Sequence, residues 1–169
     1  MERYQSKLGI RPLFAECSER TLDEFERERG MPLPEDYRHF LLHWNGCRFQ
    51  GVPAYDLLDP NFEGEYGTVD MFYGLGPEGK EADLRTSGFG YEFVDRVPER
   101  FLAIGRNPYQ ESVCISLADD DCGHVFLWSP GEPWELDGNV QTTQYLYLAA
   151  RSFREFYDGL YENPKPMYR

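Results

Sequence analysis

The sequence has few basic residues. Lysine and arginine together number 17 against 30 aspartates and glutamates, which gives a formal net charge of −13 at pH 7. Binding to nucleic-acid phosphates requires a basic face, and so does attraction to an anionic membrane surface. The charge balance therefore argues against both partners, and we expect neither nucleic-acid binding nor membrane association.

Long apolar runs are also absent. No stretch reaches the roughly 18 consecutive apolar residues that a membrane-spanning helix needs, and the first ten residues lack the apolar region of an export signal. The cysteines are few and lie far apart, at Cys17, Cys47, Cys114 and Cys122. These features indicate a cytoplasmic protein, in whose reducing surroundings we expect free thiols.

The first predicted helix covers about residues 22–29. Thr21 followed by Glu24 forms a capping box, which satisfies two backbone N–H groups at a helix start. Gly30 then supplies a C-terminal stop. With 41% hydrophobic residues over 169 positions, the chain can pack such helices onto a core without metal or disulfides.

Two more helices are predicted from apolar spacing. The second begins with Pro34 at its first position and ends at Asn45-Gly46. Its apolar face consists of Tyr37, Phe40, Leu41 and Trp44. The third is capped by Ser152 and ends before Pro164 and Pro166. Its apolar face consists of Phe153, Phe156, Tyr157 and Leu160.

Between the second and third helices the pattern changes to strands. The candidates are residues 55–58, 68–75, 101–105, 113–117 and 125–128, with a short helix at 91–94. The last two strands form a predicted hairpin around the polar loop 118–124. Because strands and helices do not alternate regularly, the order predicts an α+β fold rather than a doubly wound sheet.

A glycine pattern at Gly74–Gly79 matches the dinucleotide-binding fingerprint and follows a strand candidate. The fingerprint needs a helix whose free N–H groups hold a pyrophosphate. Here Pro77 removes one N–H group, while Glu78 and Glu81 bring negative charge. A glycine-rich turn is the better interpretation, and we expect no cofactor.

The acidic loop at residues 119–124 contains residue types that could bind a metal ion. A calcium loop that starts at Asp119 needs a glutamate at its twelfth position, where this chain has Pro130. Three residues that could bind zinc are Cys114, Cys122 and His124. They lack the usual spacing and a fourth ligand, and His39 and His43 lack the intervening glutamate of a metalloprotease. We therefore expect a solvated turn, no metal site and, without a nucleophile elbow or phosphate loop, no enzyme.

Residues 25–46 combine a short helix, the run Leu33-Pro34-Glu35-Asp36-Tyr37, an aromatic-aliphatic helix and Asn45-Gly46. This pattern resembles the signature of the SUKH superfamily, the cell-wall-assembly or glucan-synthesis regulator type of domain. Weaker features follow in the expected order at residues 101–105, 113–117, 123–128 and 149–156. The chain departs from the pattern in its long glycine-rich middle, residues 59–100, and in having Arg106-Asn107-Pro108 where a glycine pair is common.

The resemblance implies a non-enzymatic domain over residues 1–169, with its core at about 20–162. It implies a mixed or mostly antiparallel sheet flanked by two N-terminal helices and one C-terminal helix. The motif residues then have structural roles, and no catalytic residue is carried over. They are Leu33, Pro34, Tyr37, Phe40, Trp44, Asn45 and Gly46.

Two functions follow from the resemblance and remain open. Bacterial members look like immunity proteins that bind and neutralise toxins, often nucleases, and fungal members resemble regulators of cell-wall synthesis. A basic nuclease domain would be attracted by the net charge of −13, although acidity also serves plain solubility. A regulatory or scaffolding module without a toxin partner is the alternative.

The predicted partner-binding face centres on the acidic loop. It consists of Asp119, Asp120 and Asp121, with Trp128 and Trp134 nearby. Prolines flank the two tryptophans, so a loop could expose their indoles for a protein contact. Burial of both indoles in the core is the competing interpretation.

Overall fold

The computed structural model describes residues 4, 8–77, 81–86, 88–89, 96–130 and 141–165. The helices in these ranges are α1 (Glu19–Arg29), α2 (Glu35–His43) and α3 (Phe153–Asp158). The strands are β1 (Ile10–Pro12), β2 (Cys47–Phe49), β3 (Ala54–Tyr55), β4 (Gly67–Thr68), β5 (Met71–Phe72), β6 (Phe101–Arg106), β7 (Ser112–Ser116), β8 (Val125–Trp128) and β9 (Leu146–Ala150).

Seven strands form one sheet in the order β1-β2-β5-β6-β7-β8-β9. Every neighbouring pair in it is antiparallel, and β3 and β4 form a separate antiparallel pair. The predicted α+β class, the predominantly antiparallel sheet and the placement of the three helices are confirmed.

The central strands are buried on both faces. Side chains alternate across a strand, so neighbours in sequence point to opposite faces. Leu102, Ile115 and Leu127 belong to the larger core, whereas Phe101, Cys114 and Trp128 belong to a smaller second cluster. Phe89 and Val97 pack on this second cluster. Part of the glycine-rich middle therefore covers the second face of the sheet.

The larger core is rich in aromatic rings where α2 and α3 meet the sheet. The rings of Phe40 and Phe153 lie 4.8 Å apart, and Phe72 of β5 contacts both of them edge-on. Such pairs add about 0.5–1.5 kcal/mol each to the free energy of burial. The aromatic residues on the predicted apolar faces of the two helices are thus the residues through which α2 and α3 contact each other.

The predicted start of α1 is wrong by one turn. Ser18 is the N-cap, because its Oγ accepts a hydrogen bond from the Thr21 backbone at 3.1 Å, and the helix begins at Glu19. Thr21 lies inside the first turn and does not cap it. Since Ser18 already satisfies that N–H group, the helix gains a turn before the predicted capping box. Its predicted end at Gly30 is confirmed.

The ends of α2 differ slightly from the prediction. Pro34 is the N-cap rather than the first helical residue, and Trp44 is the C-cap with extended backbone. Leu33, Tyr37 and Phe40 are buried as expected. Trp44 is only partly buried and its indole donates to the backbone oxygen of Tyr4 at 3.1 Å.

Asn45 and Gly46 connect three segments of the chain. The Asn45 side chain donates to the backbone oxygens of Ala15 and Leu75 at 2.8 Å and accepts from the Leu75 N–H at 2.7 Å. Gly46 has a φ of +73°, which side-chain-bearing residues rarely adopt. The motif therefore joins the chain before α1 to the residues after β5.

Two predicted strands are wrong in extent. The segment 68–75 divides between β4 and β5, because the chain passes from the small sheet to the large one at Val69-Asp70. The segment 55–58 is a strand only through Tyr55. Beyond Tyr55 the backbone is irregular. There the Leu58 N–H donates a hydrogen bond to the Leu148 oxygen of β9.

The C-terminal helix is capped by Ser152 as predicted but ends earlier. It stops at Asp158 with Gly159 as the C-cap, before the predicted prolines, and Leu160 is buried beyond its end. The predicted short helix at residues 91–94 lies outside the described residues. None of the three helices in the described ranges combines the length and apolar character needed to span a bilayer.

Candidate functional site

The predicted partner site centres on the β7–β8 loop, residues 117–124. The loop is a compact turn in which the Cys122 N–H bonds to the Asp119 oxygen and the His124 N–H bonds to the Asp121 oxygen. Asp119 has a φ of +64°, a conformation that aspartate tolerates better than most residues. The loop therefore presents its side chains on a fixed backbone.

Asp121 is engaged inside the protein. Arg100 donates to both of its carboxylate oxygens, at 3.3 and 3.1 Å, and Ser116 Oγ donates at 2.5 Å. Partial burial alone would raise the pKa of Asp121, but the bonds from Arg100 and Ser116 outweigh it and the pKa lies below the usual value. Asp121 thus holds the loop to the start of β6.

Asp119 and Asp120 remain on the surface. Both residues are exposed, and Asp119 lies 3.6 Å from the Arg100 guanidinium while its side chain keeps 73% of its accessible surface. Ion pairs this exposed contribute little to stability. These two carboxylates are the part of the predicted face that a partner could contact directly.

Of the two predicted tryptophans, the described residues include Trp128, and it does not join this face. Trp128 is 3% exposed and packs against Phe89 with ring centroids 5.3 Å apart. For Trp128 the structure therefore agrees with the competing interpretation, burial, because its position in β8 directs the indole into the second core cluster. Trp134 lies outside the described residues, and its role stays a prediction.

The surface beside the loop is formed by the ends of α1 and α2. Gly123 lies close to Pro34, the N-cap of α2. Arg29 at the end of α1 donates to the backbone oxygens of Glu99 and Phe101 at 2.9 and 3.3 Å. The β7–β8 loop therefore lies beside the start of α2, and the end of α1 is held to the start of β6.

An arginine surrounded by carboxylates fixes α1 against α2. Arg38 bonds to Glu19, Asp23 and Glu26 of α1 at 2.5–2.9 Å. Three negative charges face one positive charge, so the cluster stays negative overall. Sequence reasoning missed it, because the partners are 12 to 19 residues from Arg38.

The glycine pattern at Gly74–Gly79 has a packing explanation. A Cβ at Gly74 would lie 2.5 Å from the backbone of Asn45, so only glycine allows this approach. The described residues that follow, 81–86, form turns and not the helix that a pyrophosphate would require. The turn interpretation fits the described part of this segment.

The residues weighed as zinc ligands have separate surroundings. Cys114 is buried and its Sγ donates to the Phe126 oxygen, whereas Cys122 is exposed. Burial raises the pKa of the Cys114 thiol well above its ordinary value. Across the described residues, no group of three or more histidine, cysteine or acidic side chains is placed to hold a metal ion.

A second surface was missed altogether by sequence reasoning. A groove of about 220 Å³ lies between α3, the end of β9 and the segment after β3, and we call it the α3 groove. Asp56, Leu58 and Glu155 are among its lining residues. The groove was not predicted because residues 55–58 were interpreted as a short strand.

Comparison with known proteins relates the chain to a family and to a prophage protein. The model of the SMI1 / KNR4 family (SUKH-1) matches residues 16–159, which is most of the chain. The chain is also similar to the SPbeta prophage-derived uncharacterized protein YokK of Bacillus subtilis (strain 168). The two sequences are 23% identical over 155 residues, covering 85% of this chain and 74% of that protein.

Proposed function

The chain belongs to the SMI1 / KNR4 family (SUKH-1), and from that premise we propose that it is a non-enzymatic immunity protein. It binds a toxin inside the producing cell and neutralises it by covering the surface with which the toxin contacts its target. The observation that carries the proposal is family membership of a chain whose net charge is −13. We treat residues 1–169 as one domain.

The charge suggests the chemistry of the toxin. A domain that cuts nucleic acid holds phosphates with basic side chains, and exposed carboxylates can take the place of those phosphates. Opposite charges also steer the two proteins together, at a rate that falls as salt rises. We therefore propose a basic partner, possessing the kind of surface that a nuclease domain has.

The β7–β8 loop is our proposed point of contact. Asp119 and Asp120 are exposed there on a backbone that Asp121 and Arg100 hold in place. A fixed loop loses little conformational entropy on binding, which favours affinity. Asp121 supports the contact indirectly by positioning its neighbours.

A binding titration tests the proposal. The purified product of the gene beside this one is titrated with the full chain at about 50 mM and about 500 mM salt. We expect a complex at low salt that weakens at least about tenfold at high salt, because exposed charges are screened within a few ångströms at high ionic strength. Absence of a complex at low salt would count against the proposal.

The alternative function is a regulatory or scaffolding module without a toxin partner. Such a module would co-purify with a cellular assembly and would give no protection against the neighbouring gene product. The name of the prophage-derived relative states no activity, so it favours neither function. Protection of cells is therefore the property that separates the two.

A further inference from the structure

The α3 groove has an apolar base built by regular structure. Ala149 and Ala150 at the end of β9 and Phe156 of α3 contribute to its lining. Leu58 also lines the groove, and hydrogen bonds from the Leu58 and Asp59 N–H groups to the Leu148 oxygen hold its backbone. The groove is therefore a preformed feature of the fold.

Leu58 is unusual for its exposure. It is one of two large hydrophobic side chains that are exposed in the described part of the chain, with 49% of its surface accessible. A segment held by two backbone hydrogen bonds in a fixed position thus presents an apolar side chain to solvent. Because Leu58 is also among the lining residues of the groove, its exposed surface adds to the apolar part of that lining.

Two carboxylates stand beside this apolar surface in fixed orientations. Asp56 accepts a hydrogen bond from the Tyr161 hydroxyl at 2.8 Å, and Glu155 accepts one from the Arg151 N–H at 3.1 Å. Each bond engages one oxygen of its carboxylate. Partial burial and the bond to Asp56 raise the pKa of Tyr161 to about 12, so Tyr161 stays a hydrogen-bond donor at neutral pH.

The charge of the groove has one sign. The described residues that line it include the two carboxylates and no lysine or arginine. An aliphatic and aromatic surface with carboxylates beside it is complementary to a long cationic side chain. Lysine and arginine lay their methylene stems along apolar surface and keep the charged end near carboxylates or water.

We propose that the α3 groove binds a lysine or arginine side chain of a basic protein partner, its stem against Leu58 and Phe156 and its charged end at Asp56 and Glu155. That this partner is a toxin rests on the proposed function. The preference of the groove for a cationic side chain does not rest on the proposed function, because it follows from the lining residues alone.

Blocked tripeptides test the preference directly. The probes are acetyl-Gly-Arg-Gly-amide and acetyl-Gly-Lys-Gly-amide, with acetyl-Gly-Glu-Gly-amide for comparison, titrated into the full chain at low salt. Methyl NMR signals of Leu58, Ala149 and Ala150 are followed. We expect saturable shifts at these methyl groups with at least one cationic peptide and none with the acidic peptide.

A second groove in the same protein serves as an internal comparison. It has a volume of about 300 Å³, and Leu8, Val52 and Glu162 are among its lining residues. Among the described residues that line it, Glu162 is the single carboxylate. Shifts at the Leu8 and Val52 methyl groups as large as those at Leu58 would overturn the proposal, because they would indicate attraction to negative charge in general.

The variant Asp56→Asn/Glu155→Gln removes both charges and keeps a hydrogen-bond acceptor oxygen at each position. It should weaken cationic peptide binding at least about threefold, the sum of two modest ion pairs. Glu16→Gln/Glu28→Gln makes the same change in net charge at exposed residues outside the groove and should leave binding within about 1.5-fold. Equal weakening by both variants would overturn the proposal.

The two proposals fail in different ways. If the neighbouring gene product does not bind but the peptides behave as expected, the immunity function is wrong and the groove stands. If the gene product binds the groove variant as tightly as the wild type and the peptides shift nothing, the groove is wrong and the immunity function stands.

Discussion

Asp120 and Asp121 are neighbouring residues in the β7–β8 loop with different surroundings. Asp120 is exposed, whereas Asp121 accepts hydrogen bonds from Arg100 and Ser116. The sequence could not separate them, because Arg100 lies 21 residues away. By contrast, the roles of Pro34 and Asn45 as helix boundaries depend on local backbone chemistry, and the sequence predicts them to within one residue.

Replacing Asp121 tests its structural role. The variant Asp121→Asn should lower the free energy of unfolding at pH 7 by about 1–2 kcal/mol, because a charge-assisted pair becomes a neutral one in a partly exposed position. The measurement is urea unfolding followed by tryptophan fluorescence. Asp120→Asn, the matched control, should change stability by less than about 0.5 kcal/mol.

The stability difference between wild type and Asp121→Asn should depend on pH. The pKa of Asp121 is lower in the folded protein than in the unfolded chain, where aspartate titrates near pH 3.9. Its stabilising effect is therefore present above the unfolded value and is lost as pH falls through the folded value. The difference between wild type and Asp121→Asn should narrow below about pH 4, and a constant difference would contradict this role.

At the scale of elements, helices and central strands were predictable and their connections were not. Periodicity indicates α2, α3 and the β7–β8 hairpin because their apolar faces follow a local rule. The short strands β3, β4 and β5 have two residues each, too few for a period to show. Their pairing depends on where the chain crosses between sheets.

The contact between β5 and β6 gives a prediction at this scale. A Cβ at Gly105 would lie 2.6 Å from the Met71 backbone oxygen, and a paired strand cannot move away. Gly105→Ala should therefore cost about 1–3 kcal/mol of unfolding free energy in urea titrations. Gly51→Ala, which meets no atom within 4 Å, should be neutral or stabilise by up to about 1 kcal/mol.

The whole molecule combines a SUKH-1 family domain with a formal net charge of −13. The resemblance read from residues 25–46 is confirmed by the family match over residues 16–159. The resemblance could not predict the α3 groove or the cluster around Arg38, because each is formed by segments that are distant in sequence. Net charge can be counted from the sequence, whereas its arrangement into surfaces depends on the fold.

The immunity function belongs to this largest scale, and co-expression measures it most directly. The gene beside this one is induced in cells with and without the full chain, and surviving colonies are counted. The proposal predicts that the neighbouring product kills cells alone and that co-expression of this chain restores survival. Equal survival with and without the chain, whether the neighbour kills or is harmless, would contradict immunity toward that product.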